Sequence, residues 1–146
     1  HLGDFVGDLG SRKKKVRVAS EIRERLTVER IVLVRGNHDP RHADFDRLFH
    51  DVHDLLSLRW PDGGERVVCC HYPLRSWQGN RKGSVHLHGH THGRLEEIGR
   101  TTDVGVDCWN DVPVPLDHLV SALRLREIVA FPMKRARRQP NRPSPE

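Results

Sequence analysis

The sequence has little cysteine and no long hydrophobic run, and both features limit the classes of protein to which the chain can belong. Its three cysteines are Cys69, Cys70 and Cys108. Because two are adjacent and the number is odd, the pattern implies neither a disulfide framework nor a zinc-type pair at a two-residue gap. No apolar run approaches the ~20 residues of a membrane helix, and no signal-peptide core is visible. We therefore expect a cytoplasmic protein without a membrane partner.

Charged residues, in contrast to cysteine, are abundant. Charged residues make up 31% of the 146 residues, hydrophobic residues 36%, and the net charge is +5. A positive chain favours an anionic partner, such as a small phosphate ester, a nucleotide or a nucleic acid. Much of the excess lies in two runs, at 12–17 and 134–138. Such runs are often solvated faces or tails, so they do not by themselves indicate a nucleic acid, and no pattern indicates an oligomeric state.

The apolar pattern predicts one domain over residues 1–132 and a disordered, basic and Pro-rich tail over 133–146. Helices are predicted at 18–29, 45–49 and from Leu116 to about Leu123, the last opened by Pro115. Strands are predicted at 31–34, 55–60, 66–71, 84–88, 93–98, 103–107 and 127–131, with a strand end at 1–6. The two strands around 61–64 form a predicted hairpin. Helices alternate with strands first and strands then follow one another, which favours an α/β (α+β) fold with one mixed sheet or two and helices outside.

Four polar motifs, most of them bounded by glycine, carry the chemistry of this chain. They are Gly3-Asp4, Gly36-Asn37-His38-Asp39, His71, and Gly89-His90-Thr91-His92-Gly93. Carboxylate and amide oxygens together with imidazole nitrogens suit a two-metal centre, which clamps the attacking and leaving oxygens of a phosphoryl transfer. Each motif alone would occur by chance, but their coincidence indicates a hydrolase.

In their order along the chain and in their flanking residues, these motifs resemble those of the calcineurin-like metallophosphoesterase superfamily. Within it, they are most similar to small bacterial and phage phosphoesterases. The matching segments are His1-Leu2-Gly3-Asp4-Phe5, Arg35-Gly36-Asn37-His38-Asp39, Cys70-His71-Tyr72-Pro73-Leu74 and His86-Leu87-His88-Gly89-His90-Thr91-His92-Gly93. The resemblance extends from His1 to about Leu123 and implies an αββα sandwich of two mixed sheets with helices outside. The Asp-x-His strand of the superfamily has no match here. We expect it upstream of His1, which would make the domain N-terminally truncated.

The resemblance also implies the metal ligands. Asp4 matches the carboxylate that bridges two divalent metal ions, and two cations at short range need a shared anion between them. Asn37, His71 and His90 match the ligands of the second metal, and His92 matches a ligand of the first. Mn²⁺, Fe and Zn²⁺ all suit this ligand set. Asp8, in Gly7-Asp8, is an alternative to Asp4 that we expect to be a turn or cap residue.

Two further roles concern the reaction itself. His38 matches the catalytic histidine, which binds a substrate phosphate oxygen or protonates the leaving alkoxide, and Asp39 is expected to orient it. Asn37 and His38 are therefore also expected to bind substrate, and Arg75 is a further candidate for phosphate charge. His86 and His88 are expected to lie in a second layer or in the substrate pocket at most.

The expected function is a metal-dependent phosphoester hydrolase, in which hydroxide attacks a phosphomonoester or phosphodiester in line. Two alternatives stay open. The chain could be a binding module that keeps the fold without turnover, or its positive charge could serve a nucleic-acid or nucleotide phosphodiesterase. The motifs do not separate monoesterases from diesterases, because both need the same metals.

Overall fold

The structure, a computed structural model, describes residues 1–60 and 64–129. In these ranges the α-helices are α1 (Arg12–Arg25), α2 (Ala43–Asp46) and α3 (Leu116–Arg124). The strands are β1 (Val32–Val34), β2 (Asp51–His53), β3 (Leu55–Arg59), β4 (Arg66–Cys70), β5 (Val85–His88) and β6 (Thr101–Asp103), and short 3-10 helices span Asn80–Lys82 and Val106–Cys108. The strands form two sheets, β1-β2 and β3-β4-β5-β6. The protein is therefore a mixed α/β structure with two sheets, compatible with the predicted α+β class.

The four-stranded sheet determines where the polar loops meet. β3 and β4 are antiparallel, with Leu55 opposite Cys70 and Arg59 opposite Arg66, which confirms the predicted pair of strands. β4, β5 and β6 are parallel. Because the carboxyl ends of parallel strands lie at the same edge, the segments that follow β4 and β5 leave the sheet side by side.

The two-stranded sheet delivers the other polar loops. β1 is parallel to β2, and it ends directly before Arg35. The first residue runs beside β1 as well: the His1 amino group donates to the Val32 carbonyl oxygen at 2.9 Å, and the Val34 amide donates to the His1 carbonyl oxygen at 2.8 Å. This strand-like pairing sets Asp4 beside the loop that follows β1.

Two clusters of buried apolar residues pack the helices against the sheets, and β1 contributes to both clusters. Leu33 lies in the cluster under α1 and α2, whereas Val34 lies in the cluster under α3, because neighbouring strand residues point to opposite faces. The buried members of the first cluster are Val6, Ala19, Leu33, Phe45 and Phe49. Those of the second are Val34, Val67, Cys69, Val85, Leu87, Leu119, Val120 and Leu123. None of the described helices is long and apolar enough to cross a bilayer.

The predicted helix at 18–29 was displaced. α1 begins at Arg12, because the Ser11 side chain accepts a hydrogen bond from the Lys14 amide at 3.3 Å and caps the helix. It ends at Arg25, because Leu26 has extended backbone angles. The apolar periodicity starts only after the basic run at 12–17, so the sequence pattern did not indicate the first turns of α1. α2 begins two residues before the predicted 45–49, at Ala43, whereas α3 agrees with its prediction.

Three strand predictions were wrong or only partly right. Residues 93–98 form no strand, because the chain turns through left-handed glycines at Gly93 and Gly99. The strand predicted at 103–107 is β6, shifted two residues earlier, and Val106–Cys108 is a 3-10 turn instead. Residues 127–129 are not a strand, and 130–131 lie outside the described residues, as do the hairpin turn at 61–63 and the predicted tail at 133–146.

His86 is fully buried in β5 and is held in one neutral form. Its Nδ1–H donates to the Val68 carbonyl oxygen at 2.9 Å, and the Leu74 amide donates to its Nε2 at 3.0 Å. Burial lowers the pKa of His86 from 6.5 to about 4, in opposition to the Val68 bond. His86 thus ties the chain after His71 to the sheet, in agreement with the expected second-layer position.

This burial predicts acid destabilisation. The folded pKa lies below the unfolded one, so the unfolded chain binds more protons between pH 6.5 and 4, and stability is lost as the pH falls through that window. From pH 7 to pH 5, His86 should remove about 2 kcal/mol from the free energy of unfolding. Urea titrations across this range should show a flatter pH dependence for His86→Gln than for wild type. The exposed His118 provides a control, His118→Gln, which should keep the wild-type slope. Equal slopes in all three proteins would contradict the assignment.

Candidate metal centre

Four loops converge at the carboxyl ends of β1, β4 and β5. Asp4 comes from the segment beside β1, and Asn37 follows β1. His71 directly follows β4, and His90 lies two residues after β5. The topology therefore brings together one residue from each polar motif of the sequence.

The imidazole of His71 lies at the centre of this group. Its Nε2 is 3.0 Å from Asn37 Oδ1, 3.3 Å from Asp4 Oδ2 and 3.2 Å from His90 Nδ1. The ligand atoms of Asp4, His71 and His90 all lie within 4.8 Å of one another. His71 is 2% exposed, whereas His90 is open to solvent. One side of the group is thus embedded in the protein and the other side is accessible.

The tautomer of His71 indicates which kind of ligand these four residues suit. Its Nδ1 donates to the Leu2 carbonyl oxygen at 2.8 Å, so in the neutral ring Nε2 carries a lone pair. That lone pair faces an amide oxygen, a carboxylate oxygen and a second imidazole nitrogen. A proton on Nε2 would satisfy one of these acceptors, whereas a cation among them would satisfy all four atoms. The donor set therefore fits a divalent metal ion.

The backbone is strained at this centre. Asp4, His90 and His92 have positive φ values of 51°, 69° and 51°. For a residue other than glycine, the left-handed region costs on the order of 1 kcal/mol. Such strain persists where surrounding structure enforces it, and it concentrates at functional sites.

Two glycines allow the loops to approach this closely. A Cβ atom at Gly36 would lie 2.2 Å from Asp4 Oδ1, and a Cβ atom at Gly3 would lie 2.3 Å from His71 Nδ1. Gly3 also has a φ of 93°, which side chains rarely adopt. Any larger residue at either position would push the loops apart.

Asp39 has a different position from the one expected. Its Oδ1 accepts the Phe5 amide at 2.8 Å, and its Oδ2 accepts the Gly36 amide at 2.9 Å. Within the described residues it makes no hydrogen bond to the His38 ring. Asp39 is buried and joins the two loops that carry Asp4 and Asn37, so its hydrogen bonds hold these loops together and do not orient the His38 ring.

His38 contacts the centre through its backbone. Its amide donates to Asp4 Oδ1 at 2.8 Å, and its carbonyl oxygen accepts a hydrogen bond from Lys15 Nζ at 2.8 Å. Asp4 thus uses one oxygen to order the loop and turns the other toward His71. The His38 side chain is half-buried.

His92 stands apart from the four converging residues. It is exposed, and its Nδ1 is hydrogen-bonded to Asp107. Asp103 orders the intervening turn: Oδ2 accepts the Thr91 hydroxyl at 2.6 Å and the Gly93 amide at 3.2 Å, and Oδ1 accepts the Gly105 amide. Burial alone would raise the pKa of Asp103, but these bonds outweigh it and lower the pKa.

A cavity of about 560 Å³ adjoins the metal centre. Its lining residues are Arg35, Gly36, Asn37, Asp39, Arg41, Asp54 and Tyr72. Two cations line its wall: Arg35 is paired with Asp46 at 2.8 Å and Arg41 with Asp54 at 2.7 Å. Arg75, the predicted phosphate contact, is not among the lining residues. The Tyr72 ring meets His71 and His90 edge-on, with centroids 5.0 and 4.8 Å apart.

Sequence reasoning missed several residues that shape this site. They are Lys15, Arg41, Asp54, Asp103 and Asp107. Of these, only Asp103 carried a usable signal, because it is an acidic residue at the carboxyl end of a strand beside β5. The others reach the site through contacts between residues far apart in sequence.

Comparisons with known proteins find one protein similar in sequence and one solved structure similar in fold, although no family model matches the chain. The Gene 66 protein of Mycobacterium phage D29 is 33% identical over 114 aligned positions, which cover 60% of this chain and 57% of that protein. The chain thus spans less than two thirds of that relative's length. The crystal structure of AQ665, a protein of unknown function from Aquifex aeolicus, has a TM-score of 0.57 at 19% identity, covering 84% of this chain and 74% of that one. They share a fold.

Proposed function

We propose that this protein is a metal-dependent phosphoester hydrolase of the calcineurin-like metallophosphoesterase superfamily. The observation that carries the proposal is the convergence of four potential ligand atoms, from Asp4, Asn37, His71 and His90, in a donor set that suits a divalent cation. These are the residues that the sequence resemblance assigns to one metal of a pair. The four residues were selected from the order of the motifs along the sequence, whereas their proximity is a property of the folded chain.

The fold is compatible with that superfamily. We propose that the two sheets are the two layers of an αββα sandwich. α1 and α2 pack against the cluster that contains Leu33, and α3 packs against the four-stranded sheet. The cluster on each side of β1 supports this arrangement of layers.

The ligand chemistry suits Mn²⁺, Fe or Zn²⁺. Asp4, Asn37, His71 and His90 would hold one ion. Asp4 and His92 would contribute to the second, with Asp107 fixing the His92 ring through Nδ1 and leaving Nε2 for the cation. When bound, such ions supply positive charge to the phosphate and lower the pKa of water.

The chain's own groups have separate tasks in this proposal. Asn37 keeps the phosphate beside the centre, and Asp4 holds the metal ions. His38, on the same loop, binds a phosphate oxygen or gives a proton to the departing oxygen. The cavity with Arg41 and Tyr72 receives the rest of the substrate. Nucleotides and other small phosphate esters carry negative charge, which bound divalent cations would attract.

A metal-loading experiment with two chromogenic substrates tests the proposal. After dialysis against Mn²⁺ or Zn²⁺, elemental analysis should find at least one equivalent of metal per chain. The loaded protein should hydrolyse p-nitrophenyl phosphate or bis-p-nitrophenyl phosphate, lose this activity in EDTA and regain it with added Mn²⁺. Metal content well under one equivalent would contradict the site. Stoichiometric metal without turnover of either ester would instead identify a binding module.

A further inference from the structure

The first turn of α1 carries a compact cationic surface, formed by Arg12, Lys13 and Lys14. All three side chains are exposed, and none makes an ion pair with a described residue. Other exposed basic residues do find partners: Arg17 pairs with Glu21, Arg41 with Asp54, and Arg126 with Glu97. Isolated exposed cations such as Arg59 and Lys82 also lack an ion pair to a described residue, but the cationic surface places three such residues next to one another in one helical turn.

Helix stability does not explain these cations. The beginning of a helix has a partial positive charge, so basic residues in the first turn are unfavourable there, most of all at low ionic strength. α1 has no acidic residue in that turn to compensate. The arrangement keeps three mutually repelling charges where the backbone also repels them, which points to an anionic partner.

The cationic surface is joined to the candidate metal centre. Lys15 continues the basic run, and its Nζ donates to the His38 carbonyl oxygen at 2.8 Å. The His38 amide in turn donates to Asp4 Oδ1 at 2.8 Å. Residues three apart share a helix face, so Arg12 lies one turn, about 5 Å, from Lys15 on the same side. Two hydrogen bonds and one helical turn thus separate Arg12, the first residue of the cationic surface, from the candidate ligand Asp4.

We propose that the cationic surface binds the sugar-phosphate backbone of a nucleic acid, and so guides one phosphodiester of that strand to the metal centre. A polyanion with regularly repeated phosphates can contact several cations of this helical turn at once, whereas a small ester has a single phosphate to offer. This inference rests on the proposed function for the chemical step. There, a water oxygen bonds to phosphorus and the ester bond to one nucleoside breaks. The departing oxygen takes a proton, which yields a monoester and an alcohol.

Binding can be measured without metal, which separates the surface from the chemistry. Fluorescence anisotropy with a labelled 12-nucleotide oligothymidylate in EDTA would compare wild type with Lys13→Gln/Lys14→Gln across a range of salt concentrations. The matched control is Arg59→Gln/Lys82→Gln, which removes the same charge from two exposed residues without an ion pair to any described residue. The cations at 134–138 are the same in all three proteins.

The Lys13/Lys14 variant should bind about 10-fold more weakly at ~0.1 M salt, and its log-log salt slope should be smaller by roughly 1 to 1.5. The control should stay within about 2-fold of wild type. Equal losses in both variants would show that net charge alone attracts DNA, and would overturn the proposal. No measurable DNA binding by wild type would overturn it as well, and so would binding to phosphatidylserine vesicles with none to DNA.

Turnover is scored separately, with wild-type protein and the two chromogenic esters. If wild type binds metal and hydrolyses an ester while both double variants bind DNA alike, the cationic surface is wrong and the hydrolase stands. If wild type hydrolyses neither ester but the DNA affinity falls only in the Lys13/Lys14 variant, the hydrolase is wrong and the cationic surface stands. The two proposals therefore fail independently.

Discussion

Replacing Asp4 with asparagine is expected to lower the affinity for Mn²⁺ by about 100-fold or more while leaving the fold intact. Loss of a residue that only supports a ligand costs 10–100-fold in affinity, so loss of a ligand's charge should reach at least the upper end of that range. The substitution is mild for the backbone. Asparagine tolerates the positive φ of 51° at this position, and its amide oxygen can still accept the His38 N–H.

Asp8 provides the matched control. It also follows a glycine, but it is exposed, and its carboxylate accepts only the nearby Gly10 amide at 3.3 Å among the described contacts. Asp8→Asn should bind Mn²⁺ as wild type does. Isothermal titration calorimetry gives both affinities, and thermal denaturation in EDTA shows that the variants fold. If Asp8→Asn loses the metal and Asp4→Asn keeps it, the bridging carboxylate has been assigned to the wrong glycine-aspartate pair.

The second large effect concerns turnover. His38→Ala should lower kcat for p-nitrophenyl ester hydrolysis by roughly 100-fold, because proton transfer to a leaving oxygen contributes about 10²–10⁴ in rate. Its metal content should stay at the wild-type level. Only the backbone of His38 is hydrogen-bonded to Asp4 in the structure, and alanine keeps that bond.

His118→Ala is the control for this variant, because His118 is exposed and its nearest described ring is Trp109, 6.5 Å away. It should keep wild-type turnover. Equal metal loss and activity loss in His38→Ala would show that His38 is a ligand. A wild-type rate in His38→Ala would exclude it from the proton-transfer step.

Regular patterns made much of the fold predictable. The β-branched run at 31–34 and the pair of strands around 61–64 were identified because alternation and turn residues are local signals. α3 was identified from its proline and its apolar spacing. The strand predicted at 93–98 was wrong because the chain turns there through left-handed glycines at Gly93 and Gly99. The strand predicted at 103–107 was shifted because its bounds depend on pairing with β5, which no local pattern records.

The candidate site was predicted in composition and only partly in arrangement. The structure brings together Asp4, Asn37, His71 and His90, whereas His92 lies with Asp107 and Asp39 binds backbone amides. The proposed roles of His38 and His92 remain predictions. A short polar motif shows which ligand atoms are available, but it does not show which amide or carbonyl each side chain meets in the folded chain.

The sequence by itself determined the α+β class, the basic character and the ligand types, because composition, apolar period and glycine-bounded turns are properties of short segments. Only the tertiary structure decided that atoms of Asn37, Asp4 and His90 lie within 3.3 Å of His71 Nε2. It also decided that Asp39 joins two loops and that Lys15 links α1 to His38. These contacts join residues up to 69 positions apart, as in the bond from His71 to the Leu2 carbonyl oxygen. Their geometry follows from parallel strands that end at one edge of a sheet, and strand pairing is a global property of the packed chain.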